Sequence, residues 1–269
     1  MTFNTITLIT DFGDYYPGVV KCAIKSCLKC LKHEATIIDI SHEVEPFNVY
    51  HGAFLLFNSW KYIKAVHCAV VDPTVGSERK AIVVVCKNSI FVGPDNGILY
   101  PAAKEAEIVK ILEVKDNVFD FLKECIRTHT NKNVTLSTTF HGRDIFAPAS
   151  AIASAGKIEK FGCEIEEDEI TKIDLFNFKV KNDKVKCRIV FNDRFGNAIT
   201  NLKSEVLQDV VGIEVKGIYF PMVNRITDVD IKEPFAIIGS FSTLELCIRE
   251  GSAKDAGLKT GEIKIKLVR

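Results

Sequence analysis

The feature that most constrains this chain is the alternation, through its N-terminal part, of short continuous apolar runs with amphipathic segments of helical spacing. ITLIT at 6–10, TIIDI at 36–40, AVHCAVV at 65–71 and AIVVVC at 81–86 have the length and near-unbroken apolarity of strands buried on both faces. After the first run, Pro17 suits the opening position of a helix, and Val20, Ala23, Ile24, Cys27, Leu28 and Leu31 follow at helical spacing. Asn48 reads as the N-cap of a second helix carrying Ala53, Phe54, Leu56 and Phe57. SIFVG at 89–93 is placed to pair with AIVVVC across Lys87-Asn88. Strands alternating with helices predict a layered α/β domain with a largely parallel sheet.

Near residue 165 the pattern changes. GCEIEEDEITKIDLF, at 162–176, is acidic and poorly periodic and suits a linker or surface crossing. Beyond it come short strand-like runs, VKCRIVF, VVGIEV, FAIIGS and EIKIKLV, with little helical pattern between them. The expected organisation is an α/β domain over 1–165 and a smaller β-barrel-like domain over 166–269.

Charge and composition exclude several classes. Thirty-five Lys and Arg balance thirty-five Asp and Glu, so no basic excess exists to neutralise a phosphate backbone, and no dense Lys/Arg run marks a local patch. Nucleic acid is therefore not the expected partner. No apolar run approaches a membrane span, and MTFNTITLITDFGDYY has neither the charged leader nor the cleavage site of a signal peptide. The nine cysteines are odd in number and mostly in apolar settings, which reads as buried free thiols in a cytoplasmic protein. Cys27 and Cys30 form a CxxC on a helical stretch with no second pair, so no metal is assigned to them.

Ligands of open α/β sheets lie at the carboxyl ends of the strands, and four polar segments stand at such places. Asp11 directly follows ITLIT, where a carboxylate can accept both hydroxyl protons of a ribose or merely shape the turn. In VVDPTVGSER, at 70–79, a turn-rich loop returns Arg79 towards Asp72, a pairing that suits either a water-orienting set or a structural salt bridge. In TFHGRDIFAPASAIASA, at 139–155, His141 opens a helix, as a proton relay or as a cap. In NDRFGNAITN, at 192–201, Asp193 and Asn197 bracket a Phe-Gly turn; they can hold an ammonium group and a purine edge, or form a polar β-turn. There is no GxGxxG, P-loop, GxSxG or HExxH, and His42 has no companion ligands nearby.

Taken together, ITLITDFG, IIDISHEVEPFNVYHGAFLL, AVVDPTVGSER, FVGPDNGILYP, TFHGRDIFAPASA, FNDRFGNAITN and IGSFSTLELCIREGSA resemble the S-adenosylmethionine (SAM) hydroxide adenosyltransferase family, relatives of the SAM-dependent fluorinase and chlorinase. The resemblance spans nearly the whole chain. It implies hydrolysis of SAM to adenosine and methionine, with no cofactor, by a homotrimer whose active sites lie between one subunit's first domain and a neighbour's second. It places Asp72, Arg79 and His141 as the set that positions and activates water. It also implies that Asp11 holds the ribose hydroxyls, Phe47 walls the nucleoside, Asp193 takes the methionine ammonium and Asn197 an adenine contact. Ser240 would meet the methionine carboxylate, and the stretch containing Glu245 and Ile248 would line the adenine. FSTLELCI differs there from the family's more usual FGYLEIAV. The halogenases carry a tyrosine in place of Asp72 and differ near Gly142, where the fluorinase has serine, so this chain follows the hydrolases. A halogenase and a non-catalytic SAM or adenosine binder are the alternatives.

Overall fold

A computed structural model describes residues 1–269, which divide into two compact units, Met1–Ile173 and Asp174–Arg269. In the first unit the elements run β1 (Thr5–Thr10), α1 (Tyr16–Leu31), β2 (Thr36–Ser41), α2 (Val49–Ser59), β3 (Val66–Val70), β4 (Ala81–Cys86), β5 (Ile90–Pro94), α3 (Tyr100–Glu105), β6 (Ile108–Val114), α4 (Asn117–Thr130), α5 (Ala147–Ser154) and β7 (Gly162–Ile165). They form one seven-stranded sheet in the order β2-β1-β3-β5-β4-β6-β7. β2, β1, β3 and β5 are mutually parallel, while β4, β6 and β7 add antiparallel strands on the other side.

The local reasons follow from the residues. Pro17 sits in the first turn of α1, where its missing N–H costs no hydrogen bond, and Val20, Ala23, Ile24, Cys27 and Leu28 form its buried stripe. The Asn48 side chain caps α2 by accepting the His51 backbone N–H at 3.0 Å. All eight residues of α5 are buried, because small side chains in APASAIAS let it lie close against α1 and β3. Each fully buried Phe or Leu in such a core contributes about 1.5–3 kcal/mol. The acidic stretch expected to be a linker begins inside the fold, since Gly162–Ile165 pairs with β6. As an edge strand, β7 can carry the exposed Glu164.

The second unit is β8 (Lys179–Lys181), β9 (Lys184–Asn192), β10 (Ala198–Lys203), β11 (Gly212–Val215), β12 (Ile218–Pro221), β13 (Pro234–Ile238), β14 (Thr243–Ile248) and β15 (Gly261–Val268). Its order is β12-β11-β15-β9-β10-β14-β13, with β8 on β9, and every strand pair is antiparallel. Met222 bridges to Ala236, so the two ends of the sheet nearly meet in a barrel. Val185, Cys187, Ile189, Leu244, Leu246 and Ile265 fill its interior. No helix of either unit is long and apolar enough to cross a membrane.

Candidate active site

The carboxyl ends of β1 and β3 converge on one pocket of the first unit. Asp72 stands two residues beyond β3, where Asn96 Nδ2 anchors the loop by donating to the Val71 carbonyl at 2.8 Å. The chain turns back through Gly76, at φ +81°, where a Cβ would lie 2.4 Å from the Thr138 carbonyl oxygen. Only glycine combines that conformation with that approach. The turn delivers Arg79, whose Nε and Nη2 donate to Asp72 Oδ2 at 2.9 and 2.6 Å. Its Nη2 also donates to His141 Nδ1 at 2.8 Å, and its guanidinium lies over the Phe146 ring. The Asp72 and Arg79 side chains are only 5% and 8% exposed.

His141 precedes one wide turn of π-helix, Gly142–Phe146, that runs directly into α5. Such turns commonly accompany functional sites. Burial and the Arg79 charge hold the His141 imidazole below its usual pKa. Because Arg79 is always a donor, Nδ1 is the acceptor nitrogen and the proton of the neutral ring sits on Nε2.

Asp11 and Phe47 border the same pocket of about 260 Å³, together with Phe12, Tyr16, Phe140 and Gly142. Asp11 Oδ2 accepts the Phe47 backbone N–H at 2.9 Å, and burial raises the Asp11 pKa above the ordinary carboxylate value. Phe47 is 69% exposed and adopts φ +64°, a left-handed conformation that is strained for an aromatic residue. Gly142 packs under the aromatic pair Phe12 and Phe140, and a Cβ there would lie 2.7 Å from the Phe12 ring. His42 remains structural: its Nδ1 bonds Thr10 Oγ1 at 2.8 Å and its Nε2 lies 3.2 Å from Asp39.

The remaining candidates belong to the second unit. Asp193 closes the β9–β10 turn, with Oδ1 accepting the backbone N–H groups of Phe195 and Asn197 and Oδ2 accepting Asn197 Nδ2. Glu245 on β14 is half-buried, makes no ion pair, and is pushed up to about 7 by burial and by the Asp193 charge. Ser240 is exposed on the turn between β13 and β14, and Ile248 is partly buried at the end of β14.

Sequence reasoning singled out none of the pocket aromatics Phe12, Tyr16 and Phe140, nor Asp144. Asp144 is fully buried, paired with Arg143, and accepts the Ser137 backbone N–H at 2.8 Å. It thereby ties the loop before His141 to the π-turn. A carboxylate directly before the apolar run IFAPASAIA, in HGRDIFAP, was the available signal. No group of three or more His, Cys, Asp or Glu residues is arranged to hold a metal ion. All nine cysteines are free, and Cys22 and Cys163 are exposed rather than buried.

A mixed sheet whose parallel strands present a buried carboxylate–guanidinium–imidazole set beside a small pocket defines an enzyme acting on a small organic substrate. The chain belongs to the SAM hydroxide adenosyltransferase family: residues 6–162 match the family's N-terminal domain and residues 187–263 its C-terminal domain. A chain named (R)-S-adenosyl-L-methionine hydrolase from Methanocaldococcus jannaschii is 40% identical over 207 residues, covering 75% of this chain and 68% of its own length. One of the same name from Thermus thermophilus is 31% identical and covers 95% of this chain and 96% of its own. A fluorinase from Actinopolyspora mzabensis is more distant, 21% identical over 62% of this chain and 60% of its own. The crystal structure of an uncharacterized conserved protein from Thermotoga maritima superposes with a TM-score of 0.80 at 33% identity, covering 98% of this chain and all of the other.

Proposed function

We propose that this chain hydrolyses S-adenosyl-L-methionine to adenosine and L-methionine. The observation that carries this reading is the buried Asp72–Arg79–His141 set at the edge of the pocket that Asp11 borders. Water attacks the ribose 5′ carbon as the carbon–sulfur bond breaks; sulfur keeps the bonding pair and leaves as the neutral thioether of methionine. A sulfonium departs without a Lewis acid, so the protein's task is to place the nucleophile in line, which can supply about 7–11 kcal/mol.

The hydrogen bonds divide the labour. Arg79 occupies Asp72 Oδ2 and His141 Nδ1, so neither atom is available to a water proton. Asp72 Oδ1 has only a 3.4 Å contact with Thr74 Oγ1 and takes the proton as the carbon–oxygen bond forms. His141 stays neutral and donates from Nε2 to the same water, fixing its lone pair. Asp11 accepts the ribose hydroxyls and Phe47 supplies an aromatic wall for the nucleoside.

In the second unit Asp193 supplies negative charge for the methionine ammonium, Asn197 an adenine contact and Ser240 a carboxylate contact, with Glu245 and Ile248 beside the adenine. A pocket of about 260 Å³ is smaller than the roughly 300 Å³ at which ligand sites usually begin. This supports a homotrimer in which a neighbouring copy's second unit completes the site, and light scattering that returns a monomer would refute it. Nine free cysteines, two of them exposed, support a reducing, cytoplasmic setting.

The test is incubation of the pure protein with SAM, with and without chloride or fluoride, followed by mass-detected chromatography. Adenosine and methionine are expected in both conditions, with turnover abolished and SAM binding retained in Asp72→Ala. A 5′-halo-nucleoside would make the chain a halogenase, and unchanged bound SAM would make it a binder.

A further inference from the structure

The second unit carries a concave face whose chemistry SAM hydrolysis does not use. Lys179 and Lys181 on β8 stand opposite Lys186 and Lys184 on β9, and these stand opposite Lys264 and Lys266 on β15. Two rows of three lysines therefore cross three adjacent strands on one side of the sheet, and all six are exposed. Like charges directly opposite across a ladder destabilise a sheet, yet four such pairs occur here.

Glutamates relieve only part of this. Lys186 pairs with Glu262 at 2.8 Å and Lys266 with Glu214 at 3.0 Å, while Lys179, Lys181, Lys184 and Lys264 make no ion pair. Asp183, in the turn joining β8 to β9, adds an electrostatic interaction with Lys266. Lysines often protect an exposed sheet edge against pairing. That accounts for β8, which has one neighbour, but not for β9 and β15, which are paired on both sides. The six lysines, together with Lys216, also line a concavity of about 850 Å³, a size within the range of small-molecule sites. The patch is invisible in the formal charge because acidic residues elsewhere in the chain balance its members, which come from two segments, 179–186 and 264–266.

We propose that this face binds a linear polyphosphate, free or as the tail of a nucleotide, through Lys179, Lys181, Lys184 and Lys264. Four unpaired ammonium groups match the charge of a tri- or tetraphosphate, and lysine binds phosphate as a mobile point charge that needs no fixed fork geometry.

The test is calorimetric titration of the full chain with inorganic tripolyphosphate. Binding of one molecule per chain is expected, weakening roughly tenfold between 0.05 and 0.3 M salt as the exposed charges are screened. The double variant Lys184→Glu, Lys264→Glu should lose binding while SAM turnover stays as in the unaltered chain and the melting temperature holds or rises, since opposed lysine pairs become Glu–Lys pairs. Lys184→Gln with Lys264→Gln serves if charge reversal unfolds the unit. ATP binding more tightly than tripolyphosphate assigns a nucleotide, and equal binding assigns free polyphosphate. No binding by the unaltered chain overturns the proposal, as does binding that survives in the Gln pair. The same loss on reversing Lys61 and Lys104 in the first unit, or retention of a 20-nucleotide RNA without tripolyphosphate, would also overturn it.

Discussion

Replacing Arg79 with methionine probes the centre of the site most directly. Methionine keeps much of the apolar stem of Arg79 but removes the guanidinium that lies over Phe146 and all three N–H donors given to Asp72 and His141. Asp72 is then left as a carboxylate with 5% of its side chain exposed and a single long contact from Thr74. Removing one partner of a buried ion pair costs about 3–5 kcal/mol, because the other charge is stranded. With a urea dependence of about 2 kcal/mol per molar, the unfolding midpoint should fall by about 1.5–2.5 M. The fluorescence of Trp60, the only tryptophan, reports the first unit, which holds the whole set. Asp72→Asn in the Arg79→Met background should recover most of the loss, since no charge remains buried, while turnover stays absent. The double-mutant cycle isolates the pair from other effects of either change. A midpoint shift smaller than about 0.5 M, a quarter of the middle of the expected range, would refute the buried pair, and so would a double variant no more stable than Arg79→Met.

Three further outcomes follow from other parts of the molecule. The His141 pKa lies below 6.5, so the ring is neutral above that value and turnover should lose its His141-dependent limb only as pH falls below it; in His141→Gln, which can still accept from Arg79, that limb should vanish from the pH–rate profile. Gly142→Ala puts a methyl group 2.7 Å from the Phe12 ring and should cost about 1–3 kcal/mol, seen as a lower melting temperature and a raised KM, with Phe12→Leu in the same chain restoring part of both. Glu245 is pushed up to about 7 from 4.5, so the folded state holds a proton that the unfolded chain has released between those values. Its contribution to stability is present below pH 4.5 and lost as pH rises through 7; Glu245→Gln should flatten the change in urea midpoint between pH 5 and 8.

What the sequence made legible depends on how far apart the cooperating residues lie along the chain. β1, β3, β4 and the N-cap at Asn48 were readable because each is set by contiguous residues: a continuous apolar run, or a capping side chain three residues before the backbone N–H it accepts. Asp72 and Arg79 were readable as a pair for the same reason, since one glycine-containing turn joins them. Their bond to His141, 62 residues further on, could be placed only through the family resemblance. The wide turn after His141 left no periodic signature, because its backbone is set by Asp144 reaching back to Ser137 and by two aromatic rings closing over Gly142. The acidic stretch at 162–176 misled only at its start, Gly162–Ile165, for a related reason: edge pairing with β6 needs backbone groups rather than apolar side chains. The lysine face is the extreme case. In KVKNDKVK and EIKIKLV each lysine is the ordinary outward residue of an alternating strand, and only the register of β8, β9 and β15 turns six unremarkable positions into one field. Chemistry carried within one turn is thus written locally, whereas chemistry assembled across a sheet is fixed by register, which a period-2 pattern leaves undetermined in strands whose outward positions are all alike.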